Sequence, residues 1–255
     1  MQYKLLLVII LAGVYATEVR FTYSGRAYDS IHQVLGSSGY EVPDCGHHVE
    51  HITTVHDSDL NRNVFAFDLH VNPDDDRCIN QDRQRTEMAV DAGSPSWMHG
   101  SDGKSFTYDW KFKLDAGFKE SGLFCHLHQI KLDGGNVGDP NMTITARSTV
   151  DIEVMNMGTI ASAPIAQFKG FWVHVREIIT YGPTGCLDLT ITRIKDGTQL
   201  IRVNKCGIPL GAKGGMIRPH WGFYRSLGDK AALRDDRVLF ADHCIGEGKT
   251  ACVGL

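Results

Sequence analysis

The stretch MIRPHWGFYRS, residues 216–226, alternates between polar and apolar side chains and predicts a β-strand. Successive side chains of a strand point to opposite faces. One face of this strand carries Arg218, His220, Gly222, Tyr224 and Ser226. The other carries Ile217, Pro219, Trp221, Phe223 and Arg225. We therefore expect Trp221 and Phe223 to lie in a core and Tyr224 to lie on a polar surface.

Segments of the same kind fill the chain from Val49 onward. They are rich in β-branched and aromatic residues and bounded by turn-forming residues, as in NVFAFDLHV, SFTYDWKFKL, MTITARSTVDIEVM and RVLFADHC. One short helix is expected near residues 24–35. Many short strands at even spacing predict an all-β protein, a β-jelly-roll sandwich of two antiparallel sheets.

Polar side chains share a face in several of these predicted strands. In RQRTEMAV, Arg83 and Arg85 point the same way. In LFCHLHQIK, His126 and His128 share a face, and Gln129 falls on the opposite one unless a bulge re-aims it. Each strand alone is also typical of a solvated charge ladder. Side by side, these faces predict a concave substrate groove that suits an extended polysaccharide.

The N-terminus has the pattern of a secretory signal peptide. Lys4 precedes an apolar run that is too short to span a bilayer, and the small residues Val14 and Ala16 suit signal peptidase. We expect residues 1–16 to be removed and residues 17–255 to form a single domain. The mature protein is then expected to be a secreted, extracellular monomer without a membrane anchor.

The charge balance restricts the class of partner. The 255 residues carry a formal net charge of −4, and removal of residues 1–16 deletes only the positive charge of Lys4. A general basic field for nucleic acid is therefore absent, and no nucleic-acid partner is expected. An acidic polymer must instead be held by a local cluster of Arg, Lys and His.

The cysteine content and a glycosylation sequon are both typical of a protein from an oxidising compartment. The chain has seven cysteines, none in a CxxC spacing, so disulfides are expected rather than zinc. Asn141 begins an N-glycosylation sequon in a turn-like region. Cys125 is expected to remain a buried thiol. The other six are expected to pair as Cys45–Cys78, Cys186–Cys206 and Cys244–Cys252.

Three motifs resemble a known group of enzymes. RTEM at 85–88 is similar to the R-[TS]-E-[LV]-R motif of alginate-lyase-like jelly rolls, and HLH at 126–128 takes the place of their Q-I-H. RPHWGFYRS at 218–226 resembles their Y-x-K-x-G-x-Y-x-Q strand. The stretches EHITTV, DRQRTEMAV, HLHQIK, WVHVRE and IRPHWGFYRS resemble the fungal glucuronan lyases more closely. Those enzymes are β-jelly rolls that cleave β-1,4-linked polyglucuronic acid.

At several positions the residue differs from that in the alginate-lyase motifs, and these differences bear on which polymer is the substrate. Ala89 replaces the last Arg of the first motif, His126 replaces the Gln of the second, and His220 replaces the Lys of the third. The resemblance therefore implies an acidic polysaccharide substrate, β-1,4-glucuronan rather than alginate. Gly222 is expected to leave room for a sugar ring.

The implied reaction is β-elimination, in which the C5 proton is removed, the C4 oxygen leaves and a 4,5-unsaturated end forms. Arg85 is the candidate to neutralise the uronate carboxylate, because its fork can bind it in two places. His128, or Gln129 if the strand is bulged, is the second candidate for this role. The resemblance makes Tyr224 the acid, or both acid and base. His70 or His128 is expected to be the partner base. The residues expected to bind substrate are Arg83, His126, Gln129, Lys131, Arg218 and His220.

Other functions remain open at this point. A non-catalytic carbohydrate-binding jelly roll, or an inactive lyase relative, would share these polar faces. A hydrolase needs paired acids, and DIEV at 151–154 lacks the third acid of the jelly-roll glucanase pattern. By resemblance to secreted jelly rolls, a structural Ca²⁺ held by Asp242 and Glu50 is also expected, although both can be ordinary surface acids. No organic cofactor is expected.

Overall fold

The computed structural model describes residues 17–36, 39–43, 49–71, 82–133, 139–212 and 214–254. The predicted signal peptide and the predicted Cys45–Cys78 pair lie outside these residues. Within them the chain forms one α-helix, α1 (Ala27–Leu35), and fifteen strands. The strands are β1 (Glu18–Arg20), β2 (Tyr40–Glu41), β3 (Ile52–Asp57), β4 (Arg62–Leu69), β5 (Arg83–Ala89), β6 (Ser105–Leu114), β7 (Cys125–Asp133), β8 (Met142–Ala146), β9 (Thr149–Val154), β10 (Gly158–Pro164), β11 (Trp172–Thr180), β12 (Gly182–Arg193), β13 (Gln199–Leu210), β14 (Met216–Ser226) and β15 (Asp236–Glu247).

The strands form two antiparallel sheets. The eight-stranded sheet has the order β13-β12-β11-β6-β15-β4-β3, with β1 added against β15. The seven-stranded sheet has the order β10-β9-β8-β7-β14-β5-β2. Strands that are neighbours in space are often far apart in the chain, such as β14 between β7 and β5. The predicted all-β jelly-roll sandwich is therefore confirmed.

Alternation along the strands builds the core between the sheets. Phe65, Phe67 and Leu69 point inward from β4, and Trp221 and Phe223 point inward from β14, all of them buried. Burial of one such side chain contributes about 1.5–3 kcal/mol. The predicted core positions of Trp221 and Phe223 are confirmed, so the opposite face of β14 is free for polar residues.

The helix lies where the sequence predicts it. Ile31, Val34 and Leu35 follow the helical spacing and are buried, and their burial docks α1 beside β3. The helix ends at Gly36, whose φ of 86° favours glycine and whose N–H bonds to the carbonyl of His32. Among the described residues, no helix is both long and apolar enough to span a membrane.

Two disulfides tie neighbouring segments together. Cys186–Cys206 joins β12 and β13 at directly paired positions. Cys244–Cys252 fastens the C-terminal segment to β15. Both predicted pairs are confirmed, as is the free, buried state of Cys125. Burial raises the pKa of the Cys125 thiol to about 12, so this thiol is unreactive at neutral pH.

The sequon does not lie on the surface. Asn141 is only 2% exposed, and its side-chain amide donates a hydrogen bond to the carbonyl of Gly211. The sequence shows a turn-like segment but not the contact with Gly211, which directly follows β13. Glycosylation of Asn141 stays a prediction.

Candidate active site

The outer face of the seven-stranded sheet gathers the polar side chains of three central strands. We call this surface the polar face; it comprises the outward side chains of β5, β7 and β14 and their polar neighbours on β2, β8 and β9. Tyr224 of β14 pairs with Arg85 of β5 on one side and with His126 of β7 on the other. Three residues that lie far apart in sequence thus meet at one place.

Tyr224 is the centre of this meeting point. Arg83 donates a hydrogen bond of 3.3 Å to its hydroxyl, and the Arg85 guanidinium carbon lies 4.1 Å from its ring centre. The rings of His126 and Phe124 lie 5.7 Å and 5.0 Å from it. A phenol held between two arginines and an imidazole can transfer a proton beside a bound carboxylate.

Arg85 is itself held by two acids. Its guanidinium bonds to Glu41 of β2 and lies 3.4 Å from the carboxylate of Glu87. Burial alone would lower the pKa of Arg85, but these carboxylates and Tyr224 outweigh it and raise the pKa further. Arg85 is therefore a permanent cation whose fork points over Tyr224.

Glu87 is a buried carboxylate beneath this arginine. Gln129 donates to it over 2.5 Å, and Nδ1 of His220 lies 3.5 Å away. Burial by itself raises the pKa of Glu87, but His220, Arg85 and Gln129 together lower it to about 2. Burial also lowers the pKa of His220. Glu87 is thus an ionised carboxylate held between His220, Arg85 and Gln129.

His126 ends a chain of hydrogen bonds. Its Nδ1 lies 2.8 Å from the hydroxyl of Thr145, which lies 2.8 Å from that of Thr143, and Thr143 donates to Glu153. The carboxylate only accepts, so the hydroxyls donate towards it and Nδ1 carries the proton. Burial lowers the pKa of His126 to about 4. His126 is thus a neutral ring whose Nε2 is an acceptor.

A β-bulge separates the two histidines of the HLH motif. The register of β7 shifts between His126 and His128 against β8, and again opposite residues 221–224 of β14. Leu127 and His128 both point into the core, so the next residue, Gln129, returns to the polar face. The prediction that His126 and His128 share a face is wrong, because an inserted residue breaks the period of two.

His70 does not join Tyr224 either. It follows β4 in the eight-stranded sheet, packs its ring 5.4 Å from that of His51, and lines a surface pocket beside Asp68 and Arg237. The predicted convergence of His70, Arg85, His128 and Tyr224 therefore holds for Arg85 and Tyr224 alone. The alternation of polar and apolar residues shows which side chains share a face of one strand, but it does not show which strands share a sheet.

The remaining residues expected to bind substrate also lie on the polar face. Lys131 and Arg218 are directly paired on β7 and β14, and the pKa of Lys131 is lowered by burial and by Arg85. Gly222 is required by the packing of the sheet, and its expected role toward a sugar ring stays a prediction. A side chain there would collide with the backbone of Thr86, so the glycine allows β5 and β14 to approach closely.

The residues proposed for calcium do not fit a cation site. Asp242 is paired with both Arg62 and Lys111, each at 2.5 Å, and Glu50 bonds to Arg26. Side-chain cations thus stand where a calcium ion would be. Within the described ranges, neither carboxylate belongs to a group of three potential ligands.

Several polar-face residues were missed from the sequence. Thr143 and Thr145 alternate in MTITA, so a period of two could have found them. Glu41 lies on a strand of two residues, which is too short for a periodic signal. The missed residues are Glu41, Thr143, Thr145 and Glu153.

Comparison with known proteins defines the fold. No family model matches the chain, and no curated protein matches it. Among solved structures, alginate lyase AlgAT5 of polysaccharide lyase family 7 is 15% identical with a TM-score of 0.53, covering 79% of this chain and 84% of that one. Alginate lyase Aly36B, in complex with an alginate trisaccharide, is 11% identical with a TM-score of 0.58, covering 92% and 98%.

A third solved structure is an endo-β-1,4-glucuronan lyase from the fungus Trichoderma reesei. It is 13% identical with a TM-score of 0.49, covering 82% of this chain and 94% of that one. The two alginate lyases establish that the chain has the jelly-roll fold of these polysaccharide lyases. At such identities the likeness establishes the fold and leaves the function to the chemistry of the polar face.

Proposed function

We propose that the protein is a secreted polysaccharide lyase that cleaves a polyuronate by β-elimination. The observation that carries this proposal is the meeting of Arg85, His126 and Tyr224 on the polar face. They offer a permanent cation, a neutral base and a phenolic acid, which are the three groups that the reaction needs. The alginate lyases that share the fold support the same reaction class.

Arg85 would bind the carboxylate of the reacting uronate. The C5 proton is poorly acidic while this carboxylate is charged, so the negative charge that develops there must be neutralised. A guanidinium can hold both carboxylate oxygens. Because Arg85 lies over the Tyr224 ring, a uronate bound to it has its reacting carbons beside the phenol and His126.

His126, rather than His70 or His128, is proposed as the base. Its Nδ1 proton is directed at Thr145, so its Nε2 lone pair can take the C5 proton. The electrons of the C5–H bond then form the C4–C5 double bond, and the C4–O4 bond breaks. Tyr224 gives its proton to the departing O4, while Arg83 donates a hydrogen bond to the phenol oxygen.

The substrate proposed is β-1,4-glucuronan. The alginate-lyase pattern has an Arg and a Lys at the positions of Ala89 and His220. These two residues are direct register partners here, and His220 is held neutral. Two neighbouring positive charges are thus absent from the polar face, which supports a polymer other than alginate, in line with the motif resemblance to the fungal glucuronan lyases.

The test is an eliminase assay on a panel of polymers. Purified protein is incubated with polyglucuronate, alginate and a neutral β-1,4-glucan, and unsaturated ends are followed by ultraviolet absorbance. We expect double bonds from polyglucuronate and none from the neutral glucan. A protein that retains the acidic polymers on a column but releases no double bonds from either would be a carbohydrate-binding protein instead.

A further inference from the structure

A carboxylate lies inside the sandwich, away from the polar face. Val173, Val175, Glu177 and Ile179 form the inward stripe of β11, and Glu177 is 0% exposed. An ionised carboxylate is costly to bury unless a partner compensates it. A glutamate in the middle of an apolar stripe therefore calls for a specific partner on the opposite sheet.

That partner is His128 of β7. Its Nε2 lies 3.1 Å from Glu177, and its Nδ1 lies 2.6 Å from the backbone carbonyl of His220 on β14. A carbonyl oxygen only accepts, so Nδ1 carries a proton. The Nε2 atom faces the Glu177 carboxylate at ion-pair distance across the interior of the sandwich. The ring thus donates a hydrogen bond to β14 and lies in close contact with Glu177 of the opposite sheet.

Two tryptophans fix the orientation of this ring. The Trp110 and Trp221 rings lie 5.6 Å and 5.3 Å from that of His128, and both are almost fully buried. Close packing of this kind leaves little room for the imidazole to turn. Its two nitrogens therefore keep their assigned partners.

The contact lies at the bulge that shapes the polar face. The register between β7 and β14 shifts just after the Trp221–His128 pair. This shift sets the spacing between Gln129 and His220 on one side of it, and between His126 and Tyr224 on the other. A bulge interrupts the backbone ladder, so a side chain that bonds to the carbonyl of His220 holds the strands where the backbone holds them least.

We propose that the His128–Glu177 bridge is a positioning device for the polar face. His128 acts through the backbone of β14, and Glu177 fixes the ring from the opposite sheet. The inference rests on the proposed lyase function for its kinetic consequence. It assigns His128 a task different from that of a base.

Double substitutions at Glu177 and His128 distinguish the role of the His128 Nδ1 atom from that of its Nε2 atom. In a background of Glu177→Gln, which removes the buried charge, His128→Asn keeps a donor where Nδ1 is, and His128→Gln keeps one where Nε2 is. We expect Glu177→Gln with His128→Asn to retain kcat within about threefold. Glu177→Gln with His128→Gln should lower kcat by about tenfold or more with KM little changed. Equal kcat values in the two double variants, or the reverse order, would overturn the proposal.

A second measurement does not depend on catalysis or on a variant that folds. In the unmodified protein with ¹⁵N-labelled histidine, NMR should show a proton on Nδ1 of His128, because this atom donates to the carbonyl of His220. An unprotonated Nδ1 would overturn the bridge even if the enzyme is active. If the protein lacks eliminase activity, the proposed function fails while this spectrum still decides whether Nδ1 of His128 donates to the carbonyl of β14, on which the positioning role depends.

Discussion

The Arg85 guanidinium carbon lies 4.1 Å from the centre of the Tyr224 ring, and the two residues are direct register partners in β5 and β14. A cation stacked on an aromatic face contributes about 0.5–2 kcal/mol. The stacking also fixes the direction of the fork above the phenol. A carboxylate bound by Arg85 must then lie within reach of Tyr224, which makes this pair the geometric basis of the site.

Arg85→Lys tests the carboxylate-binding role. Lysine keeps the charge but cannot bind a carboxylate in two places, so kcat/KM on polyglucuronate should fall by about 100-fold. Steady-state kinetics measures the change. Arg202→Lys on β13, an exposed arginine paired with Asp188, is the matched control and should leave kcat/KM within about twofold. Similar losses in both variants would argue against a specific role of Arg85.

His126→Asn tests the base. Asparagine keeps a donor towards Thr145 but has no nitrogen in place of Nε2, so kcat should fall by about 100-fold or more. Thr145→Val should have a smaller effect, about tenfold, because it releases the tautomer without removing the base. A His126→Asn variant with full kcat would exclude His126 as the base and would leave Tyr224 as both the acid and the base.

Three histidines whose pKa is lowered predict how the stability of the protein depends on pH. Burial lowers the pKa of His126 to about 4, that of His243 to about 3, and that of His220 below its ordinary value. In the unfolded chain such groups take up protons near pH 6.5. The unfolded state therefore binds more protons than the folded state below that pH.

The free energy of unfolding should fall as the pH is lowered from 6.5 to 4.5. Each fully shifted histidine contributes up to about 1.4 kcal/mol per pH unit. Urea titrations at pH 7, 6 and 5 measure the slope, and His126→Asn should reduce it. A free energy of unfolding that is constant over this window would contradict the assigned neutral state of these rings.

The sequence predicted the architecture well because the strand signal is local. Trp221 and Phe223 alternate with Tyr224 in one short stretch, and the same alternation recurs throughout the chain. The disulfides between Cys186 and Cys206 and between Cys244 and Cys252 were also predictable, since each joins segments close in sequence. Such features depend on near neighbours and not on topology.

The site was only partly predictable because it depends on topology and on one inserted residue. Arg85 and Tyr224 were found through their motifs, but His70 directly follows β4, a strand of the other sheet. The bulge after His126 turns His128 into the core and brings Gln129 out. No count of alternating residues reveals a bulge, because a bulge is the point at which alternation fails.

The Cys186–Cys206 disulfide should stabilise the paired strands β12 and β13. Its cysteines are 20 residues apart, and closure of a loop of this size contributes about 3 kcal/mol. Replacing both cysteines with serine should lower the free energy of unfolding by about that amount, as measured by urea titration. An unchanged midpoint and slope would show that the bond adds nothing to the pairing of these strands.

The most direct test of the central claim is the yield of unsaturated ends from polyglucuronate by the unmodified protein and by Tyr224→Phe. Tyr40→Phe is the matched control, because the Tyr40 ring stacks on Tyr28 away from the polar face. We predict that Tyr224→Phe forms no double bonds above background while Tyr40→Phe retains the activity of the unmodified protein. Full activity in Tyr224→Phe would contradict the proposed mechanism.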